Sequence, residues 1–282
     1  MNKKQNLNII IGKSSNLSQA LQCNIEYTYL ISSLDIVSQL EKINFKLYNK
    51  VSIIFNQFQK STLLYNIERP IDYINRSLVT TSIVLDFIKS KSIKINKIIY
   101  SSSSSVYGKN IDCSESSLTN PMSLAASLKI SNEQLIKLFC ENNNIDYTIT
   151  RIFNMYGGND SFSVISKIIH CSKNEKVLNL INNGESLRDY IHIDDVVFIY
   201  KQLLNMQSIP LVNIGTSNGK SILYILNILK ENGIYIKTKS ILRDELKVSI
   251  ANNRLLLSIL GKYKFYKLEN YILSQIRNEN NK

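Results

Sequence analysis

The chain has 282 residues, 44% of them hydrophobic and 20% charged, with 34 Lys and Arg against 22 Asp and Glu for a net charge of +12. No apolar run approaches the roughly 20 residues that cross a bilayer, and "IIIG" (9–12) is too short for the core of a signal peptide, so a cytoplasmic location without a membrane partner is expected. Four separated cysteines (Cys23, Cys113, Cys140, Cys171) without a CxxC pair, and two histidines (His170, His192), supply poorly a disulfide framework, a metal site or a Ser-His-Asp triad.

In chain order, short apolar runs at 8–12, 27–31, 51–56, 97–102 and 147–153 read as buried strands. Amphipathic patterns at 71–90 and 121–143 read as helices between the later ones. Strands alternating with helices at this spacing predict an α/β fold with a Rossmann-like, doubly wound parallel sheet over residues 1–155. Beyond that the rhythm loosens. Helices near 162–172 and 194–206, strands at 177–181 and 211–215, a helix opened by "GKS" (219–221) and a last helix at 266–277 make a smaller mixed lobe over 156–282, interleaved with the first in space.

The turn after the first strand runs Gly12-Lys13-Ser14-Ser15-Asn16-Leu17-Ser18. A dinucleotide fold wants glycines here for the turn, for close approach to a pyrophosphate and for helix packing. Of the three positions only Gly12 keeps its glycine, with Ser15 and Ser18 at the others. Serine is small and its hydroxyl can bond a phosphate, so Gly12, Ser15, Ser18 and Ser32 are candidate cofactor contacts. The acid expected about 20 positions on for a ribose is missing; Ser32 and Ser33 stand near its place, with Asp35 slightly beyond. With Lys13 nearby, this pattern suits a 2′-phosphate and favours NADP over NAD. The lysines elsewhere are scattered, with no basic block among aromatics. Nucleic acid is therefore not the expected partner, and a positive field suits a substrate carrying a diphosphate.

Four further stretches occur in order: "KIIYSSSSSVYG" (97–108), "RIFNMYGG" (151–158), "NGESLRDYIHIDDV" (183–196) and "LVNIGTSNGKSI" (211–222). Together they resemble the extended short-chain dehydrogenase/reductase family, in its NAD-dependent sugar-nucleotide epimerase/dehydratase branch. The resemblance implies a Rossmann lobe for NAD or NADP, a smaller lobe for a nucleoside-diphosphate sugar, and a homodimer joined through helices 71–90 and 121–143. It places the catalytic Ser/Thr at Ser103, the lesser alternative being a capping serine of a Ser-rich turn. It places sugar-nucleotide contacts at Asn154 and Arg188, with Asp189 orienting the loop. Arg243 matches a second phosphate-facing arginine, or is a solvated surface residue.

Around "NPMSLAASLKISNE" (120–133), Asn120, Pro121, Ser123, Lys129 and Glu133 fall in register with the family pattern. The family's catalytic tyrosine then falls on Ala125, and no tyrosine lies between Tyr107 and Tyr147. That tyrosine exchanges a proton while hydride moves, a contribution of roughly 10²–10⁴-fold. After the third strand, Phe55-Asn56-Gln57-Phe58 replaces the small residues usual in the family; on the helix after it Thr81 matches and Ser77 replaces an asparagine. Two readings follow. One is an NAD(P)-dependent epimerase, dehydratase or reductase of surface-polysaccharide sugar synthesis, with Tyr107, or water held by Ser103 and Lys129, replacing the lost acid/base. The other is a non-catalytic homologue that binds a sugar nucleotide or a partner enzyme.

Overall fold

A computed structural model describes residues 5–57 and 69–277; Phe58, singled out above, lies outside them. The elements run β1 (Asn6–Ile11), α1 (Asn16–Asn24), β2 (Thr28–Ile31), α2 (Ile36–Glu41), β3 (Lys50–Phe55), α3 (Pro70–Ile74), α4 (Thr80–Ser90) and β4 (Lys97–Ser103). They continue with β5 (Asp112–Cys113), α5 (Leu124–Asn142), β6 (Asp146–Ile152), β7 (Asn154–Tyr156), α6 (Val164–Lys173), β8 (Leu178–Ile181), β9 (Leu187–His192) and α7 (Ile193–Leu203). The last are β10 (Leu211–Ile214), β11 (Gly219–Lys220), α8 (Ile222–Glu231), β12 (Thr238–Ile241), β13 (Val248–Ala251), α9 (Arg254–Leu260) and α10 (Leu268–Arg277).

The central sheet has the order β10-β6-β4-β3-β1-β2, and β1 pairs parallel with both β2 and β3, as β3 does with β4. Runs such as "NIII" and "VSIIF" are buried on both faces, as strands covered by helices require. The doubly wound α/β sheet is thus present. The chain leaves β1 toward β2 on one side and returns to β3 on the other, so strand order reverses between β1 and β3. Ligands of open α/β sheets bind outside the carboxyl ends of the strands at such a reversal.

Two helices differ in detail from the sequence pattern. The helix expected from 121 starts at Leu124, because Ser123 is extended and its hydroxyl caps the Ala126 N–H. The 71–90 helix is continuous but widens into a π-helical stretch at Asn75–Val79, a distortion that recurs at functional sites.

The chain divides into two compact units, whose described residues are 5–57, 69–106, 119–151 and 197–212 in the first and 107–118, 152–196 and 213–277 in the second. In the second, β9 pairs parallel with β7 and β13 and antiparallel with β11. A separate apolar core gathers Tyr156, Ile165, Ile168, Ile225, Leu229 and Ile272.

Candidate functional site

In the first unit, Gly12 follows β1 with φ +113°, and a Cβ there would lie 2.4 Å from the Asn56 carbonyl oxygen. Only glycine fits. Ser15 caps α1, its Oγ accepting from the Ser18 N–H at 3.3 Å. The Asn56 side chain donates to Ser15 Oγ at 2.7 Å and to Ser18 Oγ at 2.9 Å, all three residues buried. The turn opens on a cleft of about 260 Å³ lined by Gly12, Lys13, Ser14, Gln19, Ser32 and Ser33. Ser32 Oγ accepts from the Leu34 N–H and its own N–H donates to Gln39, so the loop after β2 is fixed from within. Among the described residues no carboxylate lines this cleft. A glycine cradle, a helix N-terminus and a lysine fit the adenosine-diphosphate half of a nicotinamide dinucleotide.

Beside β3 and β4 lies a second cluster of the same unit. Lys129 Nζ donates to the Ser101 carbonyl at 2.6 Å and the Gln57 carbonyl at 3.3 Å, and sits 5.0 Å from the Tyr100 ring centre. Burial lowers its pKa to about 8 against the opposing pull of Glu133. Glu133 itself holds Arg151 through two hydrogen bonds of 3.2 and 2.8 Å and accepts from Ser102. Gln57 donates to Thr81 Oγ1 at 3.0 Å, and Asn132 to Ser77 Oγ at 2.8 Å, so the Ser77 and Thr81 positions flagged in the sequence belong to one buried polar network. Ala125 lies one turn before Lys129 on α5. Ser103 ends β4, its Oγ accepting from the Ser105 N–H at 3.2 Å.

In the second unit, Tyr107 is fully buried and its hydroxyl donates to Asn213 Oδ1 at 2.6 Å. Asn213 is held in turn by Glu115 and the Cys113 carbonyl. The structure therefore closes Tyr107 into the interior rather than presenting it to a substrate. Asn154 donates to the Asp189 carbonyl at 3.0 Å. Asp189 is fully buried and accepts from Thr216 N and Oγ1, Ser217 N and Ala251 N, which ties β13 and the loop after β10 to β9. Arg188 pairs with Glu245 at 3.0 Å. Asn182 clasps the Arg243 backbone from both sides and approaches Glu245 at 3.4 Å. It thereby draws the Arg188 and Arg243 segments together. Asn56, Asn182, Asn213 and Glu245 were not singled out as site residues; the polar Asn56-Gln57 pair after an apolar strand was the one signal in the sequence.

The fold and the glycine cradle define a Rossmann-type α/β protein. Residues 5–215 match the family model described as NAD dependent epimerase/dehydratase family, and the chain belongs to that family. Protein CapI of Staphylococcus aureus is 29% identical over 163 residues, 56% of this chain and 48% of that protein. A putative UDP-glucose 4-epimerase of Methanocaldococcus jannaschii is 28% identical over 197 residues, 67% and 63%. The chain spans between about half and two thirds of the length of such curated relatives. MoeE5 in complex with UDP-glucuronic acid and NAD superposes with a TM-score of 0.82 at 19% identity, covering 98% of this chain and 99% of that one. The UDP-N-acetylglucosamine 4-epimerase from Methanobrevibacter ruminantium, in complex with UDP-N-acetylmuramic acid, gives 0.78 at 21%, covering 97% and 96%. At these identities the structural likeness establishes the fold alone.

Proposed function

We propose that this chain binds a nicotinamide dinucleotide in its first unit and a nucleoside-diphosphate sugar in its second, serves the making of surface-polysaccharide sugars, and runs its redox step far more slowly than relatives that keep the tyrosine. The observation that carries the reading is the pair Ala125 and Lys129. Alanine has no proton to exchange, and the Lys129 ammonium is committed to two main-chain carbonyls.

Gly12, Lys13, Ser14 and the first turn of α1 would hold the diphosphate, while Lys13, Ser32 and Ser33 favour a 2′-phosphate and hence NADP. Once bound, the nicotinamide ring supplies the hydride acceptor and donor. Ser103 would bond the sugar oxygen undergoing oxidation, and Asn154, Arg188 and Arg243 the nucleotide, arginine suiting a diphosphate by its planar fork of donors. The relatives named as epimerases and the UDP-sugar complexes of similar folds support this assignment of substrate class.

The test is calorimetric titration of purified protein with NAD, NADP and UDP-sugars, followed by single-turnover nicotinamide absorbance. Micromolar binding of a dinucleotide and a UDP-sugar is expected, with Ala125→Tyr raising the hydride-transfer rate by roughly 10²–10⁴-fold. Wild-type protein that turns over as fast as the variant would overturn the reading. Sugar-nucleotide binding abolished by Arg188→Ala, with no dinucleotide bound, would instead make this a recognition protein. That second reading is favoured by the concentration of departures on the dinucleotide side.

A further inference from the structure

The three positions where the family places glycine all meet a single residue. The Asn56 carbonyl closes on Gly12, and the Asn56 side-chain amide reaches Ser15 and Ser18. The meeting follows from the sheet: β1 and β3 are neighbours, with Ile11 opposite Phe55. The residues that follow them therefore face each other at the strand-order reversal.

The direction of these hydrogen bonds matters. An amide NH2 has two protons to give, and here one goes to each hydroxyl. Ser15 Oγ also accepts from the Ser18 N–H. With both acceptor sites used, the one hydrogen-bonding capacity left to Ser15 is its own O–H proton. Ser15 stands at the N-terminus of α1, between cleft-lining Ser14 and Gln19, where a helix already favours an anion.

We propose that Asn56 is a positioning residue for cofactor binding: by donating to Ser15 and Ser18 it leaves the Ser15 hydroxyl proton to donate to a diphosphate oxygen. This rests on the reading of the first unit as a dinucleotide site. It names what replaces the lost glycines. Where glycine lets backbone approach the phosphate, this turn uses a hydroxyl whose polarity is set from behind by an amide.

The experiment is a double-mutant cycle on dinucleotide affinity, measured by titration of purified full-length protein with NAD and NADP, with thermal unfolding of the ligand-free protein in parallel. Ser15→Ala is expected to weaken binding about tenfold, the loss of one hydrogen bond to a charged group. Asn56→Asp can only accept, so it draws both hydroxyl protons inward; a loss of about 30-fold or more is expected, with charge repulsion included. The two losses should add only in part, because in the Ser15→Ala background no donor remains to be turned and only the charge repulsion is left. Ser15→Thr, which keeps the hydroxyl, should keep the affinity. Additive losses, or a Ser15→Ala protein that unfolds earlier yet binds like wild type, would overturn the inference while leaving the dinucleotide site standing. Wild-type protein that binds neither dinucleotide overturns both.

Discussion

The turn after β1 and the loop after β10 are each organised by one buried side chain, and the two do so with opposite chemistry. Asn56 gives protons to the turn, and on the reading above the Ser15 hydroxyl that accepts one keeps its own proton to offer a ligand. Asp189 takes protons from the loop, and Thr216, Ser217 and Ala251 spend their N–H groups on it. Gly215 belongs to the same arrangement, since a Cβ there would lie 2.7 Å from Asp189 Oδ2. A turn held by a donor stays open to a ligand rich in acceptors. A loop held by a carboxylate is closed, and serves to hold its strands in place.

That contrast can be broken at its stronger end first. Asp189→Ala would leave one buried N–H group (Ala251), two partly buried ones (Thr216 and Ser217) and one hydroxyl without the acceptor they now use, at a cost of up to about 1–3 kcal/mol each before relaxation and hydration. We expect a net destabilisation on the order of 4 kcal/mol by urea unfolding; a change below about 1 kcal/mol would mean water replaces the carboxylate without loss. Gly12→Ala comes next. It meets the Asn56 carbonyl at 2.4 Å from a left-handed φ, and roughly 2–3 kcal/mol is expected together with loss of dinucleotide binding. A variant that bound normally would show the cradle to be slack.

The smallest effect concerns Lys129 and is read from pH. Its folded pKa is lowered to about 8 from 10.5. Between those values the unfolded chain binds a proton that the folded one has released, so this group's contribution to stability rises with pH. Stability of wild type minus that of Lys129→Met should therefore climb from pH 8 to 10, by on the order of 1 kcal/mol per unit at most. A flat difference would mean that the ammonium is more hydrated than its two carbonyl contacts imply.

What was legible in the sequence divides along the same physical line. The inner strands β1, β3 and β4 of the central sheet announced themselves because they are buried on both faces and read as apolar runs. The strand β9 did not, because "LRDYIH" carries an arginine and a buried aspartate whose partners lie elsewhere in the chain. Likewise β12, "TKSI", is exposed throughout and has no hydrophobic period to show. At the site, Gly12 was legible as the one glycine left in its motif. The link from Asn56 to Ser15 was not, since it spans 41 positions and exists only because β1 and β3 are neighbours. Tyr107 misled for a related reason. A tyrosine beside a catalytic motif looks available until the fold supplies Asn213 from 106 residues away to bind its hydroxyl.

The order of the central sheet has a consequence for how the protein is made. Its edge strand β10 is drawn from Leu211–Ile214, and the first unit also takes in Val197–Val212. On the ribosome, domains fold as their sequence emerges, yet this unit lacks its outer strand until most of the chain has been synthesised. Until then β6 has an open edge, with its backbone groups able to pair with another chain. Between the emergence of β6 and that of β10, the nascent protein therefore carries this edge unpaired.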